Sequence, residues 1–380
     1  MEIVEVTAFE FRRALDGQVV SPAAGPAEWR APLLRITTRD GISGLGEGWC
    51  DQHSTDAFFR HLRRAAPLLL GADARLIEHV WQSLWTLEAP DEPEWTPPAV
   101  ASAVDIALWD LRARSLGASL HELLGPQRDA VPVYAGGGLY ADGKDAGELA
   151  AEMHAQVARG FRAVKMQIGL LPRDDDLARV AAVRQAVGPE VEIVVDAQER
   201  LTTSEAPALI RRLATLGVTA IQAPLPVADV AGLMMLGRTG RLRVMVGEHE
   251  WRTQRFRELV RAGAAGVLLF NPGLCGGITG AVKLAALAEA HGVPVSPQNQ
   301  ATAVLLAACL HLGAARGAVA GVEVPTIHDH MRDVLPPTMT VLRDGCVSPD
   351  GPGLGLPEGL PAGRQDIRVV WRARAGEGGL

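Results

Sequence analysis

The sequence predicts an α/β fold, a modified (β/α) barrel of the TIM type that follows an N-terminal α+β capping domain. Two observations predict it. Short apolar segments rich in β-branched residues, each ending in a polar residue, recur about every 25 residues and alternate with helical segments. The first 125 residues differ, because alternating strands are followed there by three helical segments. In such a barrel the active site lies at the carboxyl ends of the strands.

The segment VEIVVDAQ at residues 191–198 is the clearest of the barrel strands. Four of its first five residues are apolar, and the run stops at Asp196. A strand that is buried on both faces has this continuous apolar pattern, so Asp196 is expected at the carboxyl end of the strand. The strands that follow are predicted to end, in chain order, at Gln222, Glu248, Asn271 and Gln298.

Three further strands complete the predicted ring. The first is VPVYAG, which begins at Val131, and the second is AVKMQIG. Because side chains alternate along a strand, Lys165 and Gln167 are predicted to share one face of the second strand. The eighth strand, AVAGVEV, places Glu323 near its carboxyl end.

The capping domain is predicted to begin with an antiparallel sheet. Residues 2–11 alternate as a strand, and the Gly- and Pro-rich segment from Asp16 to Trp29 is expected to be a loop. A hairpin then turns at the sequence Arg39-Asp40-Gly41. Helices are predicted over Thr55–Leu70, Ala74–Leu87 and Pro98–Leu116, and the last of them is expected to end at Gly117.

The predicted domain boundaries enclose three segments. The capping domain spans residues 1–125, the barrel spans 126–340, and a C-terminal segment at 341–380 returns to the capping domain through the strand IRVVW. No low-complexity linker separates the domains. We therefore expect the two domains to pack against each other and to share a site.

The composition of the 380-residue chain excludes several classes of function. A net charge of −7 argues against nucleic acid or an anionic membrane surface as a partner. The four cysteines are scattered, without metal-type pairs, and are expected to be reduced thiols of a cytoplasmic protein. The acidic, alternating start predicts a strand and not a signal peptide, and the longest apolar run is too short to span a bilayer.

Several motifs together resemble one known group of proteins. They are AVASAVDIALWDLRARSLGASLHELLG before the barrel, Lys165 on the second strand, VDAQ at Asp196, GEHE at Glu248, LCGGIT, SPQN and DGPGLGLP. With these motifs the chain resembles the mandelate racemase and muconate lactonizing enzyme group of the enolase superfamily. The resemblance covers nearly the whole length of the chain.

The resemblance implies a shared chemistry. Three acidic residues on the third, fourth and fifth strands hold Mg²⁺, which stabilises the enolate formed when the proton next to a substrate carboxylate is removed. The bases of the family come from a K-x-K motif on the second strand and from a His on the seventh strand that pairs with an Asp on the sixth.

This chain departs from that pattern at four positions. Asp196 and Glu248 match metal ligands, but the ligand position between them is Gln222. Three further amides stand at base positions: Gln167 on the second strand, Gln298 for the His, and Asn271 for its Asp partner. An amide keeps much of the shape of the group it replaces but cannot accept a proton as a general base.

Lys165 has three open interpretations. It could form a salt bridge with Asp196, it could bind the substrate carboxylate as its family counterpart does, or it could act as a base if burial lowers its pKa. The family pattern also implies that Glu323 is a hydrogen-bonding acid facing the site. Gln198, Gln167, Asn271 and Gln298 are expected to contact the substrate.

The remaining candidates lie in predicted loops. His328, with His330 close by, follows the eighth strand and is a candidate proton donor, as in related dehydratases. His53, Trp29 and Trp49 are expected in capping-domain loops that cover the barrel mouth and select the substrate. His249 directly follows Glu248, so on a strand its side chain would point away from that of Glu248.

Three functional hypotheses follow. The first is an enzyme, a lyase or isomerase, that acts on a small carboxylate as an acid-sugar dehydratase, racemase or cycloisomerase, with Mg²⁺ weakly held by Asp196, Gln222 and Glu248. The second is an enzyme with metal-independent cyclisation or rearrangement chemistry. The third is a non-catalytic binder of small molecules. Because such barrels often associate, we also expect a homo-oligomer.

Overall fold

The structure is a computed structural model that describes residues 1–14, 28–50, 54–299, 302–326, 337–357 and 366–376. The described residues form a four-stranded antiparallel sheet with its helices and a ring of eight parallel strands. The predicted fold class is confirmed. Among these residues, no helix has the length and apolar character needed to cross a membrane.

The capping domain contains three strands and the first helices of the chain. Its strands are β1 (Ile3–Ala14), β2 (Glu28–Thr38) and β3 (Ser43–Glu47), and its helices are α1 (Asp56–Leu69), α2 (Ile77–Trp85), α3 (Thr96–Ser115) and the short α4 (Leu120–Leu124). The C-terminal strand β13 (Ile367–Arg374) pairs antiparallel with β1, so the predicted return of the chain is observed. The sheet order is β13-β1-β2-β3.

Helix α3 lies between the two units and is buried along most of its length. Strand β3 can approach it closely because of its glycines. A Cβ atom on Gly46 would lie 1.9 Å from the carbonyl oxygen of Ala103, and one on Gly44 would lie 2.1 Å from that of Ala107. The glycines of SGLGE therefore allow direct contact between sheet and helix, which a larger residue would prevent.

The barrel strands run in chain order around the ring. They are β4 (Val131–Gly136), β5 (Ala163–Gln167), β6 (Glu192–Asp196), β7 (Val218–Gln222), β8 (Arg243–Val246), β9 (Val267–Phe270), β10 (Val295–Pro297) and β11 (Val322–Pro325). Consecutive strands from β4 to β10 pair in parallel, and β11 pairs in parallel with β4. Between β10 and β11 the described residues close the ring through an isolated parallel β-bridge, which joins Val295 to Val319.

Among the described residues, seven α-helices alternate with these strands. They are α5 (Ala146–Ala158), α6 (Arg173–Val187), α7 (Ala206–Thr215), α8 (Val230–Arg238), α9 (Thr253–Ala262), α10 (Gly277–Glu289) and α11 (Ala303–Ala315). The two-residue strand β12 (Cys346–Val347) pairs antiparallel with the start of β4. Helix α11 is buried throughout, which explains why its sequence shows no polar face.

The eight barrel strands lie where the sequence predicts them, and so does the hairpin of β2 and β3. One placement is wrong. Trp29 was expected in a loop, but it lies in β2, opposite Arg13 of β1. The segment before Trp29 is rich in glycine and proline, so the sequence predicted a loop there and not the start of a strand. The domain boundaries at residues 125 and 340 stay predictions.

Candidate active site

The centre of the site consists of three residues on neighbouring strands. Asp196 and Gln222 end β6 and β7 and lie opposite each other in the sheet register, and Glu248 lies two residues beyond the end of β8. All three are buried. The Gln222 amide nitrogen donates to Asp196 Oδ2 at 3.2 Å and also to Glu248 Oε2. One side-chain amide therefore joins the two carboxylates.

Lys165 lies beside this centre with its ammonium group among acceptors. Its Nζ donates to Glu323 Oε2 at 2.7 Å and to Gln222 Oε1 at 3.2 Å, and it lies 3.6 Å from Asp196 Oδ2. Burial disfavours the charged lysine, but the carboxylates of Glu323 and Asp196 outweigh that effect and raise the pKa of Lys165. The predicted salt bridge with Asp196 is present, and the direction of this shift is opposite to the lowered pKa that a lysine base needs; a catalytic role of Lys165 stays a prediction.

The two acids next to Lys165 and Gln222 also have shifted pKa values. Burial, followed by the nearby Asp196 carboxylate, raises the pKa of Glu248 to about 7. Burial raises the pKa of Glu323 as well, against the opposing effect of the Lys165 ammonium. Both shifts follow from placing several carboxylates around one cation in a water-poor site.

The amides on the opposite side of the ring belong to the same network. Gln298 Nε2 donates to the Tyr134 hydroxyl at 3.0 Å. The same hydroxyl lies 3.2 Å from Ser296 Oγ. Burial, followed by the charge of the nearby Glu323 carboxylate, raises the pKa of Tyr134. Polar groups thus lie in a continuous series from Gln298 through Tyr134 and Glu323 to Lys165 and the Gln222 centre.

Asn271 lies one residue beyond β9 and is almost fully buried. Its Oδ1 accepts from the backbone nitrogen of Gly273 at 2.8 Å. Its Nδ2 is buried and has no hydrogen-bond partner among the residues that the structure describes. A buried donor without an acceptor costs free energy, so a ligand acceptor at this point would be stabilising.

The two remaining glutamines are more open. Gln167 ends β5 and is half-buried, and its side chain makes no hydrogen bond within the described part of the chain. Gln198 is exposed, and its backbone nitrogen donates to Asp196 Oδ1 at 3.0 Å. Both lie next to the centre, and their predicted contact with substrate stays a prediction.

The backbone is strained next to the Asp196–Gln222 pair. Gln198, Glu199 and Ala223 all have positive φ angles, of 49°, 58° and 41°. Left-handed conformations are unfavourable for residues other than glycine and cluster at functional sites. Here they turn the chain sharply just after β6 and β7.

Two tryptophans of the capping domain, Trp49 and Trp95, form an aromatic cluster with His249 of the barrel. Trp49 packs edge-to-face against Trp95, with ring centroids 5.1 Å apart, and its centroid lies 6.3 Å from that of His249. The backbone nitrogen of Trp49 donates to the carbonyl of Gly273, in the loop that follows Asn271. His249 is exposed and Glu248 is buried; both lie in a turn beyond the end of β8, so the strand alternation considered for this pair does not apply.

Two buried carboxylates of the capping domain hold the barrel helices that follow β9 and β10. Asp105 accepts from the backbone nitrogen of Thr279 at 2.8 Å and from its hydroxyl at 2.6 Å, at the start of α10. Glu47 accepts from the backbone nitrogen and hydroxyl of Thr302 and from the nitrogen of Leu305, at the start of α11. Burial raises the pKa of each carboxyl to about 7.

Sequence reasoning missed three groups and could not place two others. Tyr134, Glu47 and Asp105 were not predicted; the available signal was one hydroxyl in an otherwise apolar strand for Tyr134, and an acid next to an apolar or glycine-rich stretch for Asp105 and Glu47. The candidates His53 and His328 lie outside the described residues, as does His330. Trp29 is half-buried in β2 and packs against the barrel-side core.

Comparison with protein-family models identifies the group to which the chain belongs. The model of the mandelate racemase / muconate lactonizing enzyme N-terminal domain matches residues 12–125. The enolase C-terminal domain-like model matches residues 148–357. The chain belongs to the enolase superfamily, in its mandelate racemase and muconate lactonizing enzyme group.

Characterised relatives are lyases and isomerases. The chain is 32% identical over 336 residues to D-galactarolactone cycloisomerase of Agrobacterium fabrum, covering 85% of this chain and 88% of the relative. It is 29% identical over 321 residues to arabinonate dehydratase of Saccharolobus solfataricus, covering 84% and 86%.

Solved structures of relatives share the fold over nearly the whole chain. L-talarate dehydratase from Polaromonas sp., complexed with Mg and L-glucarate, has a TM-score of 0.86 and 27% identity, and the match covers 99% of each chain. A racemase from Streptomyces coelicolor with bound magnesium has a TM-score of 0.84 and 29% identity, covering 93% of this chain and 96% of the other.

The residues at the predicted metal position do not fit a Mg²⁺ ion as they are arranged here. Magnesium takes oxygen ligands, whereas the atom of Gln222 that lies between Asp196 and Glu248 is the amide nitrogen. Within the described part of the chain, no cluster of three His, Cys, Asp or Glu side chains could hold a metal ion. The predicted ligand set is brought together, but through hydrogen bonds.

Proposed function

We propose that the chain is a lyase or isomerase of small carboxylates, in the acid-sugar dehydratase, racemase or cycloisomerase class. In this proposal Gln222 weakens the magnesium site, and amides replace the residues that transfer protons in the family. The relatives named above act on acid sugars or their lactones, which supports this substrate class. A cytoplasmic, homo-oligomeric enzyme stays a prediction.

The observation that carries the proposal is the buried Lys165 ammonium at the barrel mouth, held by Glu323 and Gln222 and close to Asp196. A protonated lysine in a water-poor site attracts a substrate carboxylate and stabilises the negative charge that develops on it during reaction. Asn271 adds a buried donor without an acceptor. A ligand rich in carboxylate and hydroxyl oxygens satisfies both groups.

The amides orient the substrate and do not move protons. Gln298 is held by Tyr134, and Asn271 is held by the backbone of Gly273, so both side chains have fixed positions. Fixing two reacting groups in a productive geometry can lower a barrier by as much as about 7 kcal/mol. Orientation and charge stabilisation are therefore the contributions that these residues make to catalysis.

A second candidate function is a metal-independent cyclisation or rearrangement. The Gln222 amide favours it, because this group satisfies both carboxylates of the centre without a cation. Adding the chelator EDTA distinguishes the two candidate functions. Turnover that EDTA abolishes and Mg²⁺ restores supports the first candidate, whereas turnover that EDTA leaves unchanged supports the second.

Ligand binding and turnover test the proposed substrate class. Acid sugars, their lactones and the matching methyl esters are added to the wild-type protein, thermal stability is recorded, and products are followed by proton NMR. We expect the free acids to raise the melting temperature and the methyl esters, which lack the negative charge, to leave it unchanged. Equal stabilisation by acid and ester would show that Lys165 does not receive a carboxylate.

The same experiment separates an enzyme from a binder. Stabilisation by a free acid with new NMR signals supports turnover, whereas stabilisation with an unchanged spectrum supports the third hypothesis, a non-catalytic binding protein. Lys165→Met should abolish the difference between acid and ester. Lys283→Met is the matched control, because Lys283 is exposed on α10 and pairs with Glu78.

A further inference from the structure

Among the described residues, the Gln222 side chain is the only one that donates hydrogen bonds to both carboxylates of the centre. It ends β7, between the strands that carry Asp196 and Glu248, and it is 1% exposed. Its nitrogen supplies two donors and its oxygen accepts from Lys165. Every polar atom of this amide is therefore used within the protein.

The orientation of the amide is fixed by its neighbours. If the Gln222 amide were rotated by half a turn, its oxygen would face the carboxylate oxygens of Asp196 and Glu248, and its nitrogen would face the Lys165 ammonium. The first change places acceptor against acceptor and the second places donor against donor. Neither forms a hydrogen bond, so the carboxylates and the lysine together select the orientation that is observed.

The same contacts oppose a cation at this point. If Gln222 is to ligate a divalent ion between Asp196 and Glu248, it must offer its oxygen, which requires the rotated amide and brings its nitrogen toward Lys165. Asp196 Oδ1 already accepts from the Gln198 backbone nitrogen at 3.0 Å, so one lone-pair region of that carboxylate is occupied. The protein supplies two anionic ligands here, against three in the family pattern, which weakens attraction for Mg²⁺.

We propose that the Gln222 amide takes the place of the divalent cation in this centre, so that the native protein holds Asp196 and Glu248 together without Mg²⁺. The amide joins the two carboxylates that a metal ion would otherwise join, and it links them to Lys165. This inference goes beyond the proposed function, because it concerns the unliganded protein, in which no substrate carboxylate helps to hold Mg²⁺; the weakened site of the proposed function fills only together with the substrate.

Titration with Mg²⁺ alone tests this proposal. Wild type, Gln222→Glu and Gln222→Ala are purified with chelator, and Mg²⁺ binding is measured by calorimetry, with thermal stability recorded at each Mg²⁺ concentration. We expect no saturable binding and no stabilisation of the wild type. Gln222→Glu supplies a third carboxylate, so Mg²⁺ should bind to this variant saturably and raise its melting temperature.

If the Gln222→Glu variant does not fold, Gln222→Ala provides an independent test of the proposal. This change removes the amide and leaves Asp196 and Glu248 without their shared donor, so the variant should be less stable than wild type and should be stabilised by Mg²⁺. Gln156→Glu is the matched control, because Gln156 is also buried but lies on α5 and accepts from Arg159. Mg²⁺ should not affect the stability of this control.

Two results would overturn the proposal. One is saturable Mg²⁺ binding by the wild type that Asp196→Asn abolishes. The other is the failure of both Gln222 variants to respond to Mg²⁺ when at least one of them is folded by circular dichroism. Neither result depends on a substrate, so they are distinct from the failure of acid sugars to bind.

Discussion

Buried carboxylates occur in two regions of this molecule, and they are satisfied in different ways. At the domain interface, Asp105 and Glu47 accept from backbone nitrogens and threonine hydroxyls at the starts of α10 and α11. In the barrel centre, Asp196 and Glu248 share one side-chain amide. The backbone nitrogens at the start of a helix are present for almost any helix sequence. The donor shared by Asp196 and Glu248 depends on the single residue Gln222.

The difference shows how chemistry can change while the fold stays constant. A backbone cap fixes the position of the barrel helices and leaves little room for variation. A centre built from side chains can exchange a carboxylate for an amide at one position and still satisfy its neighbours. The interface therefore preserves the scaffold of the superfamily, while the barrel centre carries the departure from its usual chemistry.

Among the substitutions considered, a change at Lys165 should have the largest effect on the free energy of unfolding. Lys165→Met removes the cation that faces Glu323 and Asp196, leaving buried carboxylates without their counter-charge. We expect a loss of about 3–5 kcal/mol in the free energy of unfolding. Urea denaturation measures it. Lys283→Met, at an exposed ion pair, should cost less than about 1 kcal/mol, and equal losses in the two variants would contradict the account.

The next largest effect on the free energy of unfolding is expected for Asp105, at the interface between the capping domain and the barrel. Asp105→Ala leaves the backbone nitrogen and hydroxyl of Thr279 without their acceptor in a buried position. The expected loss is about 2–3 kcal/mol in the free energy of unfolding. Asp56→Ala is the control, because Asp56 is exposed in the first turn of α1. Asp105 does not act as a buried acceptor if the two variants unfold at the same urea concentration.

The pH dependence of stability provides a third comparison. Burial raises the pKa of Glu47 from 4.5 to about 7, so between these values the folded protein retains a proton that the unfolded chain releases. This stabilisation is fully present below pH 4.5 and is lost as the pH rises through 7. One such group changes the free energy of unfolding by at most about 1.4 kcal/mol per pH unit.

Glu47→Gln should make that dependence shallower between pH 5 and pH 7, because the amide does not titrate. Urea denaturation at several pH values in this range gives the slope for wild type and variant. Asp105, whose pKa is also raised to about 7, contributes to both curves and does not affect the comparison. Identical slopes would mean that Glu47 is already ionised in the folded protein throughout this range.

The smallest expected effect is in the network opposite Lys165. Tyr134→Phe removes the hydroxyl that accepts from Gln298 and lies near the Glu323 carboxylate, and it keeps the ring. We expect a loss of about 1 kcal/mol in the free energy of unfolding and weaker binding of free acids, because Gln298 loses its fixed position. Unchanged acid binding in a calorimetric titration would show that the Tyr134 hydroxyl does not position the site.

Much of this molecule could be predicted because strand ends are marked locally. Each apolar run stops at one polar residue, so the positions of Asp196, Gln222 and Gln298 follow from the sequence. The bonding of those residues does not, since it depends on neighbours far away in the chain. Lys165 has a raised pKa because Glu323, 158 residues later, lies against its ammonium group.

Two other failures have similar physical causes. Trp29 was placed in a loop because strand β2 begins directly after a segment rich in glycine and proline. Tyr134 was overlooked because its strand is otherwise apolar, and its hydroxyl becomes significant only when β4 and β10 approach each other across the ring. Periodicity predicts which face of a strand a residue occupies, but it does not predict what lies opposite.

The most direct test of the central claim is anomalous diffraction from crystals grown with Mn²⁺ as a substitute for Mg²⁺. The account predicts no anomalous peak between Asp196 and Glu248 in the wild type and a peak there in Gln222→Glu. A wild-type peak at about 2.1 Å from a Gln222 side-chain atom would contradict it, because that atom would have to be the amide oxygen acting as a metal ligand.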